Sequence, residues 1–214
     1  MKNNTQNKQE INNQGIVDKA VLAVKNHKKP LIIGAVCVIA LAAIIGGVKS
    51  YQAKKYQTLW GDFFLAQFNA AQSKDGADLS ALEAFVNQNQ NNAAGAQAAL
   101  MLGEIAWQNK DYNKAEGYYA QAAKVKEFEP MAKAALIVAK LAQNQYEQVI
   151  ALADDFAGDY ATHFAFTQVL LNKALALELS GKTAQAKEVY TQIIQQEPSG
   201  YNALFAENKL RTLK

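Results

Sequence analysis

The chain has 214 residues, half of them apolar, with 22 Lys+Arg against 19 Asp+Glu and a net charge of +3. The positive excess sits at one end: residues 1–49 carry +5 and residues 50–214 carry −2, so the larger part lacks the basic stripe that nucleic-acid binding requires. One cysteine, Cys37, and two distant histidines, His27 and His163, exclude an intramolecular disulfide and a Cys/His zinc site, while 39 alanines against three prolines favour helix over a turn-rich β architecture.

Residues 1–30 read as a cytoplasmic tail. The first fifteen, MKNNTQNKQEINNQG, hold too few apolar side chains to offset the entropy of ordering and are expected to be disordered. From 16 to 29, Ile16, Val17, Ala20, Val21 and Val24 recur at helical spacing among four lysines. That stretch is either a basic helix lying on a membrane surface or a plain topogenic flank.

Leu31–Val48 reads LIIGAVCVIALAAIIGGV, 18 residues without a charge. As a helix it is about 27 Å long, enough to cross a hydrocarbon core, so 31–48 is expected to be a transmembrane helix. A cleaved signal peptide would have a shorter apolar run and small residues at its cut, and a lipoprotein signal at Cys37 would place a small residue where Val36 stands. An uncleaved anchor fits better. Lys19, Lys25, Lys28 and Lys29 before the run outweigh Lys49, Lys54 and Lys55 after it. This puts the N-terminus in the cytoplasm and the remainder outside, in the periplasm of a bacterial cell with an inner membrane.

Residues 49–77 are expected to form a long membrane-proximal amphipathic helix, with Leu59, Trp60, Phe63, Phe64 and Phe68 on a wide aromatic face. No breaker separates it from the span beyond Gly46–Gly47. Ser73–Gly76 ends it, and Asp78 or Ser80 can cap the next helix.

Residues 78–214 pair helices through short polar turns. AAGAQAALMLGEIAWQN followed by KDYNKAEGYYAQAAKVK overlays on FTQVLLNKALALELSG followed by KTAQAKEVYTQIIQQEP, matching Gly103 with Ala174, Ala115 with Ala186 and Tyr119 with Tyr190. Small residues let two helices of a hairpin approach, and the aromatic fills the gap that remains. The spacing resembles the tetratricopeptide repeat. One unit is 96–129, on Leu102–Gly103, Asp111–Tyr112, Ala115, Tyr119 and Ala122; another is 167–200, on Leu170, Ala174, Gly181, Ala186, Tyr190 and Pro198. Between them 130–158 is degenerate: Tyr146 fits a turn position, but Val149 replaces the small residue. Residues 78–95 supply a half-unit and 200–213 a capping helix. The expected fold class is all-α, with a single N-terminal transmembrane helix followed by a tetratricopeptide-repeat α-solenoid.

The layout as a whole, with the LGEIAWQNKDYNKAEGYY block, the Lys173–Ala174 pair and the closing Leu204–Leu213 helix, resembles the ancillary SecYEG translocon subunit family (YfgM type) over nearly all of residues 20–214. The resemblance implies an inner-membrane partner of SecYEG with a periplasmic chaperone role, acting together with a periplasmic folding factor. A membrane-anchored envelope scaffold for cell division or outer-membrane assembly is the alternative.

Tetratricopeptide arrays bind peptides on a concave face built by the first helix of each repeat. That face takes Leu100, Glu104, Trp107 and Gln108 from one repeat and Leu171, Leu175 and Glu178 from another. Two readings stay open: an accessible protein-binding groove, or one filled by the chain's own flanking helices. Catalysis has no candidate centre. His163 stands in a loop near Asp154, Asp155 and Asp159, without a nucleophile elbow, a phosphate loop or a ligand cluster. No cofactor, metal or small-molecule substrate is implied, and the chain reads as a protein-binding module rather than an enzyme.

Overall fold

The computed structural model describes residues 28–72 and 78–213, with side chains described from Ile39 to Ala71 and from Asp78 to Leu213. The expected disorder of residues 1–15 and the helical spacing from Ile16 to Val24 lie outside the described residues, as does the Ser73–Gly76 turn. Among the described residues no strand occurs. The elements are α1 (Lys28–Gln72), α2 (Ser80–Gln88), α3 (Ala93–Gln108), α4 (Tyr112–Ala122), α5 (Glu129–Ala142), α6 (Tyr146–Asp159), α7 (Phe166–Leu179), α8 (Thr183–Gln196) and α9 (Tyr201–Thr212). The chain divides into two compact units, one up to Thr58 and one from Leu59 onward.

Among the described side chains of the first unit, Ile39, Leu41, Ile44, Ile45 and Val48 are each half or more exposed. Among the described residues no helix is long and apolar enough to cross a membrane. The run Leu31–Val48 belongs only in part to those residues, since its side chains are described from Ile39.

The second unit is built from helical hairpins. Three of its turns share one geometry. After α3, α5 and α7 the backbone takes a positive φ at Lys110 (61°), Asn144 (59°) and Gly181 (79°). In each case two amides close back on the helix end: Lys110 and Asp111 donate to Trp107 and Ala106, Asn144 and Gln145 to Leu141 and Lys140, Gly181 and Lys182 to Glu178 and Leu177. This left-handed cap satisfies carbonyls that a helix end leaves open. It also sets a register. Residues 130–158 are a full hairpin, α5 with α6, whose turn at Asn144 lies 34 residues after Lys110, the tetratricopeptide period.

That register explains why the middle hairpin looked degenerate. Seven residues before the three turns stand Gly103, Ile137 and Ala174; nine after them stand Tyr119, Ala153 and Tyr190. The outer hairpins pair a small residue with an aromatic, whereas the middle one pairs Ile137 with Ala153, both fully buried. The large and small partners have exchanged helices and the filled volume is conserved, which close-packed interiors tolerate. Val149, at the position of Ala115 and Ala186, is buried as completely as they are.

The core runs through the unit as three clusters. Phe63 and Ala66 of α1 pack with Leu82, Phe85 and Val86 of α2 and Leu102 of α3. Ala106, Ala115 and Tyr119 meet Leu136 and Ala139 of α5. Ile137, Phe156, Leu170, Tyr190, Ile193 and Ala206 of α9 form the third. α2 and α9 lie in the stretches expected to supply a half-unit and a closing helix. Asp78 accepts from the Ser80 amide at 3.1 Å at the start of α2, and Asn92 and Asp111 cap α3 and α4 through the amides of Gly95 and Lys114.

One polar knot joins the first and middle hairpins. Lys140, only 8% exposed, donates to Glu116 at 2.7 Å, Gln145 at 3.1 Å and Gln148 at 2.7 Å. Gln143 donates to the other oxygen of Glu116 at 2.9 Å. Three acceptors match the three ammonium protons, which is what makes burial of that charge tolerable. The hydrogen bond from Lys140 holds the Glu116 carboxyl below its ordinary range.

Candidate protein-binding site

The seven residues expected to line a concave face fall on two helices. Leu100, Glu104, Trp107 and Gln108 are on α3; Leu171, Leu175 and Glu178 are on α7. The structure does not bring the two sets into contact. α5 stands between them, sharing a core cluster with α3 and packing directly on α7.

On α3, Glu104 and Gln108 are exposed and bonded to each other, Gln108 donating at 3.0 Å. Trp107 is half-buried, its ring 4.8 Å from that of Tyr112 at the start of α4. Leu100 is half-buried and touches both the cluster that holds Phe63 and the one that holds Tyr119. Met101 beside it accepts from Gln67 of α1 at 3.6 Å. The C-terminal part of α1 therefore meets α3 near Met101.

On α7, Leu171 is buried in the C-terminal core and Leu175 packs half-buried against it. Glu178 is fully engaged: Tyr190 donates to one oxygen at 2.8 Å and Lys209 of α9 to the other at 2.8 Å. Its carboxylate fastens α7 to α8 and to the closing helix.

The residues that sequence reasoning missed are on α5. Matching the three turns places Val138 of α5 level with Glu104 and Leu175, and Leu141 level with Trp107 and Glu178. Both are half-buried. The signal that would have found them was Asn144, a residue that tolerates the left-handed turn, one repeat length after Lys110.

Elsewhere, the cavity bounded by Leu79, Glu83, Leu102, Asp111 and Tyr118 measures ≈ 90 Å³, below the few hundred Å³ of a metabolite site. Tyr118 donates to Glu83 across it at 2.9 Å. His163 lies half-buried in the turn before α7. Its Nδ1 accepts from the Ala165 amide at 3.2 Å, and its ring meets Phe156 edge-on and lies tilted against Phe164. Asp154 of the Asp154–Asp155 pair is bound by Lys173. Among the described residues no group of acidic, His or Cys side chains could hold a metal ion.

Residues 96–128 and 167–199 match the family model of the tetratricopeptide repeat. They coincide with α3–α4 and α7–α8, the hairpins carrying the small–aromatic pair; the exchanged middle hairpin is left unmatched. Two solved tetratricopeptide domains are similar to part of the chain. The Arabidopsis OM64 TPR domain covers 54% of this chain and 93% of its own at 20% identity, TM-score 0.48. The first TPR of Spaghetti (RPAP3), solved bound to the HSP90 peptide SRMEEVD, covers 58% of this chain and 94% of its own at 16% identity, TM-score 0.49. No curated protein matches the chain. Tetratricopeptide repeats generally serve protein–protein interaction.

Proposed function

We propose that this protein is a single-pass inner-membrane protein whose tetratricopeptide unit faces the periplasm and receives partner proteins, as an ancillary subunit of the Sec translocon. The observation that carries the membrane part is the run Leu31–Val48. It is uncharged for 18 residues, and where its side chains are described they are exposed. Burying such a surface in water would require a protein partner along most of its length; a bilayer removes the need. The lysine bias then sets the tail inward.

The translocon part rests on the resemblance of the layout to the SecYEG-associated family. The test is cross-linking in intact cells, solubilisation of the membrane and mass spectrometry of what is recovered with the full-length protein. Translocon subunits together with a membrane-anchored periplasmic folding factor are the expected result. Division or outer-membrane assembly proteins, without translocon subunits, would overturn the translocon assignment and leave the envelope scaffold. Recovery in the soluble fraction after alkaline extraction would overturn the membrane anchor.

A further inference from the structure

The inner face of the tetratricopeptide unit has an unusual charge balance, and the reason is visible in where its lysines go. α3 contains no Lys or Arg. α5 contains two lysines and α7 one, and each is drawn off that face. Lys140 is buried against Glu116 of α4. Lys133 bridges Glu129 and Asp159. Lys173 binds Asp154 of α6. What remains on the matched inner positions is a half-buried aliphatic strip, Val138, Leu141 and Leu175, continued by Leu179 at 57% exposure. Of the two carboxylates there, Glu178 is neutralised by Lys209. Glu104, exposed, accepts hydrogen bonds from Gln108 and the Tyr119 hydroxyl but has no ion-pair partner among the described residues.

An aliphatic floor with one uncompensated carboxylate selects by charge. An acidic segment would lay like charge beside Glu104 without a cation to receive it, whereas a basic residue beside apolar ones would satisfy both features. We infer that this face takes an apolar peptide segment carrying a basic residue, with Val138, Leu141, Leu175 and Leu179 contacting the apolar side chains and Glu104 the cation. The inference rests on the protein-binding reading of the unit and adds the chemistry of the occupant.

The experiment uses the full chain in nanodiscs and three fluorescent 14-residue peptides that share a leucine/alanine core and differ only in carrying two lysines, two glutamines or two glutamates. Fluorescence anisotropy at low salt should rank them lysine, glutamine, glutamate, with about a fivefold or greater difference in Kd between the extremes. Glu104→Lys should reverse the order, and Leu179→Asp, at an exposed position of the strip, should weaken the lysine and glutamine peptides alike. Glu104→Gln should erase the ranking without abolishing binding. If the peptides bind without charge preference, or Glu104→Lys leaves the ranking intact, the assignment of the occupant is wrong while a protein-binding face survives. If no peptide binds and cross-linking recovers no protein partner, the protein-binding reading itself fails.

Discussion

The ring of Tyr119 occupies the space a side chain on Gly103 would need: a Cβ added there would lie 2.4 Å from Cε1 and 2.6 Å from Cδ1 of the tyrosine. Helix α3 and helix α4 are as close as they are because the first contributes only a backbone at that point. In mid-helix, Gly→Ala ordinarily stabilises by about 1 kcal/mol. Here the sign should invert. Gly103→Ala is expected to destabilise by about 1–3 kcal/mol through overpacking, read as a drop in the urea midpoint. Adding Tyr119→Leu should recover part of that loss, because it removes the atoms that clash. A silent Gly103→Ala would show the hairpin to be looser than described.

The three left-handed turns make an ordered prediction. A non-glycine residue held at positive φ costs about 1–2 kcal/mol, less for Asn. Lys110→Gly should therefore stabilise by about 0.5–1 kcal/mol, Asn144→Gly by less, and Gly181→Ala should destabilise by about 1 kcal/mol. Thermal melts of the three variants test the order. A Lys110→Gly variant less stable than the parent would contradict the turn geometry at Lys110.

Ala115 and Ala186 are fully buried at the same point of their hairpins. Enlarging either to Leu should cost about 1–3 kcal/mol. Val149→Ala, at the equivalent point of the middle hairpin, should cost about 1–2 kcal/mol by opening a void. Opposite substitutions thus destabilise at matched positions, which a merely similar sequence would not predict. Chemical denaturation of the three proteins decides it.

The Glu116–Lys140 pair ties stability to acid pH. Because the hydrogen bond from Lys140 lowers the folded pKa of Glu116, the stability it supplies is fully present above the ordinary glutamate value of about 4.3. It is lost as pH falls through that value and below. Lys140→Met should remove this slope and make the folded state less sensitive to acid, at a cost near neutral pH from the carboxylate left without its cation. An unchanged acid limb in Lys140→Met would mean that Glu116 does not contribute to it.

At the alkaline end the sign is reversed. Burial, with Glu104 beside it, pushes the Tyr119 hydroxyl up to about 12, and burial with Glu83 does the same to Tyr118. Burial raises Tyr190 as well. Unfolded tyrosine ionises near 10, so the unfolded chain releases protons the folded chain retains. Stability should fall as pH rises from about 10 toward 12. Tyr119→Phe should shallow that decline in a melt series, and absorbance at the tyrosinate band should rise only with unfolding for the buried rings.

The amino-acid sequence by itself determined the helical class, the uncharged run Leu31–Val48, and the two hairpins in which a small residue and an aromatic sit sixteen positions apart. Those features are local: a period or a pair of residue types on adjacent helices is enough to specify the contact. It showed the middle hairpin only in degenerate form, with Tyr146 at a turn position, because there the constraint is a sum of volumes. Ile137 and Ala153 fill the same space as Gly103 and Tyr119, and a sum can be met by side chains that match neither residue individually. Tertiary structure also decided the fate of the expected inner-face residues. Leu171 is core, Glu178 is a tether for Lys209, and Leu100 packs against the cluster that holds Phe63 of α1. Helical spacing says which side chains share a face, but which face another helix covers depends on partners distant in sequence. The same holds for charge. Lys140 and Lys173 lie on helices that border the inner face, yet their acids stand on other elements, and Lys133 reaches Asp159 of α6 as well as Glu129 of its own helix. Only the packed arrangement shows that Glu104 has no ion-pair partner among the described residues.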